Sequence, residues 1–181
     1  MASNAVAKPY EAHTQRKSEM QPATDRRAGK YLIFELGNEE FGVSVLQVKE
    51  IMKMQQVTMV PQTPAFVQGV INLRGRIVPV LSLRSKFSMS EAEYTDRTCI
   101  IVVRVETQGG EQAIGIIVDS VVEVLFVSAD DIEDTPDFGG EVKTTYLRGI
   151  AKSKGKVKIL VDIDRVLSSQ ELGGLATLGT F

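Results

Sequence analysis

The stretch Gly69-Val-Ile-Asn-Leu-Arg-Gly-Arg-Ile-Val-Pro-Val-Leu-Ser-Leu83 decides the fold. Two apolar runs are joined by a tight basic turn at Arg74-Gly75-Arg76, and the β-branched Val70, Ile71, Ile77, Val78 and Val80 suit a strand, a turn and a second strand. Gly75 is the natural hinge, since it lacks a Cβ and takes a positive φ at which the flanking arginines would be strained. Arg74 is thereby held at the mouth of a hairpin, where we read it as a docking residue and not a catalytic one.

Outward from this hairpin the chain reads as short strands. Leu32, Phe34 and Leu36 in Lys30–Leu36 point to one face of a half-buried strand, residues 37–40 turn, and Phe41–Val45 returns. Leu46–Met52 is too short for periodicity to settle between a helical turn and an irregular strand. Pro61 and Pro64 bracket a loop, because proline lacks the N–H and biases its predecessor away from helix. Ala65–Gln68 is expected to make one short turn.

Ser82 is placed to cap a brief helix over 83–87, and residues 88–97 are a polar linker. Strands are expected at Cys99–Val105, Gln112–Val118, Tyr146–Ile150 and Lys156–Val161, with an acidic loop over 128–140. Asp162 caps a helix over 163–172, which Gly173-Gly174 stops. Residues 1–29 have few large apolar side chains and are expected to be a disordered tail, and 173–181 a flexible one.

The two halves repeat. Phe41-Gly-Val-Ser-Val45, Val48, Glu50 and Ile51 match Ile114-Gly-Ile-Ile-Val118, Val121, Glu123 and Val124 at a constant separation of 73 positions. Gly69-Val70, Gly75-Arg76-Ile77, Leu81 and Leu83 match Gly149-Ile150, Gly155-Lys156-Val157, Val161 and Ile163 at a separation of 80. A single duplication of this length points to two similar β-units with a shared core. Asn72-Leu73-Arg74 is Lys152-Ser153-Lys154 in the second copy, so one copy alone is expected to carry a specific contact at its tip.

Bulk properties exclude several functions. The 181 residues are 43% apolar and 24% charged, as in an ordinary globular chain of one domain or two small ones. No apolar run approaches the roughly 18 residues of a membrane span, and no signal-peptide core is present, so a cytoplasmic protein without membrane insertion is expected. The net charge of −2 argues against nucleic-acid binding. Cys99 lies in a strand-like run and reads as a buried small hydrophobe. His13, the one histidine, sits in the polar tail, which leaves zinc sites and histidine-based triads unsupported. Gly69 and Gly75 are not a phosphate loop, for no Gly-Lys-Ser/Thr follows. Asp130, Asp131, Glu133, Asp134 and Asp137 lack calcium-loop spacing. Arg76 and Lys156 read as solvated turn charges.

The motifs Leu32-Ile-Phe-Glu-Leu-Gly37, Phe41-Gly-Val43, Val48-Lys-Glu-Ile51, Thr63-Pro-Ala-Phe-Val-Gln-Gly-Val-Ile-Asn-Leu-Arg-Gly75 and Ile77-Val-Pro-Val-Leu-Ser-Leu-Arg84 closely resemble the CheW family of chemotaxis coupling proteins. The likeness runs from about Tyr31 to Leu172. One departure is Ser82, where the family often has aspartate, and both are good caps. The resemblance implies a mainly β fold of two intertwined SH3-like five-stranded β-barrels over residues 30–172, around a shared hydrophobic core.

It also implies a non-enzymatic adaptor without cofactor or metal, coupling the cytoplasmic tips of chemoreceptors to the regulatory domain of the histidine kinase CheA. Carried onto matching positions, its receptor groove gives Val45, Val48, Glu50 and Ile51, with Gly69 below and Arg74 nearby. For Val45 and Val48 core packing is an equal alternative. For Glu50 the alternatives are pairing with Arg74, pairing with the receptor, or simple solvation. Arg74 could instead tie the barrels together through backbone carbonyls. The kinase contact is unassigned, since the sequence does not tell which apolar residues of Phe87–Met89 or Val124–Val127 are exposed. A coupling paralogue for another receptor-linked kinase pathway is the alternative; a small enzyme is disfavoured, because no nucleophile with an adjacent base is evident.

Overall fold

The computed structural model describes residues 25–137 and 144–178. Among the described residues eleven strands form two sheets: β1 (Gly29–Leu36), β2 (Glu39–Ser44), β3 (Val48–Lys53), β4 (Val67–Leu73), β5 (Arg76–Ser82), β6 (Cys99–Thr107), β7 (Gly110–Val118), β8 (Ser120–Val127), β9 (Ile132–Glu133), β10 (Leu147–Ser153) and β11 (Lys156–Val161). One sheet has the order β8-β1-β2-β11-β10-β9 and the other β3-β6-β7-β5-β4. Exchanging the two halves of the chain turns one order into the other, apart from the added β9. Each sheet therefore takes two strands from one repeat and the remainder from the other, which is how the two units intertwine.

The exchange is made by two antiparallel ladders, β1 with β8 and β3 with β6, and by two parallel ones, Lys158–Val161 against Glu40–Val43 and Val80–Ser82 against Gly115–Ile117. These ladders keep the same register under the repeat. Their contacts put side chains of both halves into one core, including Phe34 of β1, Leu81 of β5, Ile101 of β6 and Val161 of β11. Stacked rings of Phe34, Phe41, Phe87 and Tyr146, with centroids 5.9, 5.6 and 4.9 Å apart, run through it. Cys99 is buried there, and burial pushes its thiol pKa up, away from reactivity.

The central hairpin is as the sequence implies, with Leu73 paired to Arg76 across a two-residue turn. Its strain is distributed differently from expectation. Arg74 itself sits at φ +51° and Gly75 at +83°, the paired positive values that match the right-handed twist of two strands. Lys154 and Gly155 repeat them at +53° and +73°. A non-glycine residue in this region costs on the order of 1 kcal/mol. Asn72 offsets part of that cost, its Oδ1 accepting from Gly75 N at 2.8 Å.

Ser82 caps α1 (Leu83–Lys86), its hydroxyl accepting from Ser85 N, and Asp162 caps α2 (Ile163–Val166). The single helix expected over 163–172 is instead broken after Val166, and α3 runs from Ser169 to Leu178. A capping box starts α3: Ser168 Oγ accepts from Glu171 N at 3.2 Å while Glu171 Oε2 accepts from Ser168 N at 2.6 Å. Gly173 and Gly174 lie inside this helix and do not stop it, so the flexible tail expected over 173–181 is corrected through Leu178; residues 179–181 lie outside the described residues. Burial of Leu172 and Leu175 against the core outweighs the glycine propensity.

The acidic loop expected over 128–140 contains a short 3-10 turn and the two-residue β9; residues 138–143 lie outside the described residues. Its carboxylates are taken up locally. Asp131 accepts from the Ser128 hydroxyl, Glu133 pairs with Lys152 and Asp134 with Arg27. Of the tail expected over 1–29, residues 1–24 lie outside the described residues, while 25–29 are tied to the fold. Arg27 pairs with Asp25 and Asp134 and donates to the carbonyl of Arg148, and the Tyr31 hydroxyl donates to the carbonyl of Arg27 at 2.6 Å. The Arg27 guanidinium lowers the Asp25 carboxyl to about 2. Lys156 and Arg76 are exposed, as expected of solvated turn charges, and Lys156 also donates to Glu40 at 2.8 Å.

Candidate functional site

The residues of interest gather on the sheet that begins with β3. The backbone leaves β2 through a 3-10 turn, Val45–Gln47, and enters β3 as the edge strand against β6. The undecided stretch Leu46–Met52 is thus a turn followed by a strand. Alternation along β3 turns Lys49, Ile51 and Lys53 outward and half-buries Val48, Glu50 and Met52.

Val45 and Val48 pack partly on the shared core and keep part of their surface in solvent. Ile51 is 47% exposed. Leu46 stands out further, at 78% exposed. Sequence reasoning passed over it, because one leucine in an ambiguous stretch gives no sign of which way it faces. Its carbonyl accepts from Arg104 Nε at 2.9 Å, which fixes the turn that presents it.

Arg74 reaches from the β4–β5 turn to β3, where Nη2 meets Glu50 Oε2 at 2.7 Å. Its side chain is 79% exposed and that of Glu50 22%. Pairing is therefore the alternative realised for Glu50. Both residues belong to one sheet and Arg74 bonds to no backbone carbonyl among the described residues, so it does not tie the barrels together. The pair leaves most of the guanidinium fork facing solvent, ready to engage a carboxylate or a row of carbonyls.

Equivalent residues make the same contact in the second copy, where Lys154 Nζ meets Glu123 Oε2 at 2.6 Å. The expectation that one tip alone carries a specific contact is corrected to this extent: the ion pair is duplicated, and what differs is guanidinium against ammonium. Constant separations of 73 and 80 already aligned Glu50 with Glu123 and Arg74 with Lys154, so the signal was present in the sequence.

Gly69 has a different task. It lies at φ +140°, and a Cβ there would fall 2.1 Å from the carbonyl oxygen of Thr58. Thr58 exchanges both backbone hydrogen bonds with Val70, each 2.9 Å. Gly69, itself buried, therefore lets the segment after β3 lie against β4. The second copy repeats the bridge as β9, with Glu133 opposite Ile150.

The outward face of β8 contrasts with that of its counterpart β3. Where β3 shows Lys49, Ile51 and Lys53, β8 shows Val122, Val124 and Phe126, which are 42, 56 and 65% exposed. Phe87 and Met89 are partly buried on the core. Of the two apolar segments left open by the sequence, β8 is the one that faces solvent.

A CheW-like domain model matches residues 30–171. The chain belongs to the CheW family. It is similar to the chemotaxis protein CheW of Klebsiella aerogenes, with 43% identity over 79% of this chain and 84% of that protein. Similarity to the chemotaxis protein CheW of Rhizobium meliloti is 38% over 79% of this chain and 90% of that one. Among solved structures, the scaffolding protein TtCheW from Thermoanaerobacter tengcongensis superposes with a TM-score of 0.69 at 33% identity, covering 78% of this chain and 88% of that chain.

As a CheW-family member the chain is a non-enzymatic chemotaxis adaptor, with the mainly β, two-unit fold described above. Among the described residues no His, Cys, Asp and Glu cluster is arranged to hold a metal, and no helix is long and apolar enough to cross a membrane.

Proposed function

We propose that this chain couples chemoreceptor tips to the histidine kinase CheA at membrane-associated arrays, with residues 30–172 as the coupling unit. The receptor face comprises Val45, Val48, Glu50, Ile51 and Arg74, with Gly69 supporting it from beneath. The observation that carries this reading is an exposed guanidinium held in a strained turn beside an exposed isoleucine. Receptor tips are helical hairpins, and a helix docking along the β3 edge would lay an apolar side chain on Val48 and a polar one on the Arg74–Glu50 pair, with Ile51 offered from the other face of the strand. Strain kept at an exposed position fits a contact that requires a fixed fork.

An adaptor needs a second, separate surface, and we assign the kinase contact to Val122, Val124 and Phe126 of β8. Coupling then follows if the two faces bind their partners with affinities that differ between signalling states.

Arg74→Ala tests the first assignment. An exposed pair contributes at most about 1 kcal/mol, so the melting temperature should move by no more than about 4 °C. Binding to a purified receptor-tip fragment should weaken at least about tenfold, or 1.4 kcal/mol. A binding loss that merely tracks a fall in melting temperature would return Arg74 to a structural role. For the second face, Val124→Glu should leave the fold intact and abolish capture of the CheA regulatory domain while receptor binding persists. Unchanged kinase capture would remove β8 from the interface.

A further inference from the structure

The duplicated fold places equivalent recesses where the chain enters β1 and β6, and their linings carry opposite charge. One, of about 260 Å³, is bordered by Glu91, Glu93, Tyr94, Asp119 and Gln68. The other, of about 230 Å³, is bordered by Arg26, Lys30, Tyr31, Val45, Leu46 and Arg148. Leu46 corresponds to Asp119 across 73 positions and Arg148 to Gln68 across 80. The backbone is therefore shared while the basic character belongs to one copy.

That basic character is met only in part internally, by the Asp25 carboxylate, which is bound to Arg27 and lies within electrostatic reach of Arg148. Arg27 is satisfied by Asp25 and Asp134. Arg26, Lys30 and Arg148 form no ion pair among the described residues, in contrast to Arg84 of the acidic recess, which is held by Asp119. Three cations around a small concavity repel one another unless an anion joins them. The walls are already in place: Arg104 fixes the Leu46 carbonyl, and Tyr31 is bonded to the backbone of Arg27. Little ordering entropy remains to be lost on binding. Apolar surface adjoins the charge, with Leu46 in the rim and the exposed Phe126 directly opposite Lys30 in the β1–β8 ladder.

We infer that this recess docks an acidic segment of a partner protein, whose carboxylates meet Arg26, Lys30 and Arg148 while a neighbouring apolar side chain covers Leu46. The site adjoins the proposed receptor face at Val45 and the proposed kinase face at Phe126, but its three cations belong to neither, and it does not depend on the identity of the partners proposed above. Charge complementarity selects the occupant: an apolar segment would leave the three cations unpaired, and a basic one would be repelled.

The test titrates the full ¹⁵N-labelled chain with the peptide acetyl-Glu-Glu-Leu-Glu-Glu-amide, with its all-Gln analogue, and with inorganic phosphate. Expected are amide shifts concentrated at Gly29, Lys30, Leu46 and Arg148, weakening with added salt, and an affinity reduced about tenfold or more in the R26E/R148E variant. K53E/R76E, on other elements, should bind as the parent does, and matching spectra of the free variants establish that both are folded. Equal shifts from the Gln peptide, equal affinity for phosphate, or undiminished binding by R26E/R148E would each overturn the proposal. So would concentration-dependent association of the chain alone that R26E/R148E abolishes, since it would make a second copy the occupant.

Discussion

Replacing Gly69 by alanine is expected to lower the melting temperature by about 6–12 °C, a loss of about 3 kcal/mol. Its φ of +140° lies outside what an L-residue adopts readily, and the new methyl would sit 2.1 Å from Thr58 O and 2.9 Å from a Val57 methyl. A backbone carbonyl cannot swing aside as a side chain can, so the paired bonds between Thr58 and Val70 must break. Two comparisons separate the causes. Gly75→Ala meets nothing within 4 Å and should cost only the positive φ, roughly 1 kcal/mol. Gly149→Ala first meets a methyl of Ile132 at 2.8 Å and should fall between the two. If G69A melted with G75A, close approach would not be the reason for glycine here. Receptor binding by G69A should weaken as well, because the segment that follows β3 would lose its seat on β4.

The second large effect concerns the buried pair of Glu40 and Lys158, which are 7 and 2% exposed and in direct contact. Lys158→Val should destabilise by about 3–5 kcal/mol, chiefly by leaving the Glu40 carboxylate buried with one partner fewer. The repeat supplies the control. Ala113 and Val78 occupy the corresponding positions in the other unit, so the double variant E40A/K158V copies a packing the same fold already uses. It should recover most of the loss; failure to do so would mean that the charges themselves hold the parallel ladder together. Hydrogen bonds from Lys156 and then Lys158 keep the Glu40 carboxyl below its ordinary range. A depressed carboxyl contributes stability above the unfolded-state pKa and loses it as pH falls through the folded one. The parent should therefore lose stability below about pH 4, and thermal melts across pH should show a shallower acid limb in E40A/K158V.

What could be read from the sequence was local. The central hairpin, both helix caps and the repeat depend on residue types at short spacings, and each appears where those spacings place it. The closing of two intertwined units rests on family resemblance, since no local pattern states that β2, paired with β1 of its own repeat, also pairs with β11 of the other. Ser120–Val127 escaped notice as a strand because its outward face is as apolar as its inward face, which removes the alternation that marks a half-buried strand. Gly173 and Gly174 signal an end that helix α3 does not take. They meet nothing within 4 Å, and the helix is kept by leucines on its other side and by Glu171, which Lys86 of α1 reaches at 2.5 Å. At the candidate site, sequence marked Arg74, Glu50 and Ile51. It could not mark Leu46 or Arg148, whose meaning depends on neighbours about a hundred residues away.

The exchange of strands between the sheets has a topological consequence. Residues 88–97, without regular secondary structure, are the single covalent bridge between the repeats, yet neither repeat owns a closed barrel. A protease nick there would release nothing, as the halves would stay clasped through β2 against β11 and β5 against β7. Expressed as separate polypeptides, 1–92 and 93–181 should each remain unfolded alone and assemble on mixing into one native particle. The chain is thus built as two halves that clasp one another across their sheets and are joined by a single linker.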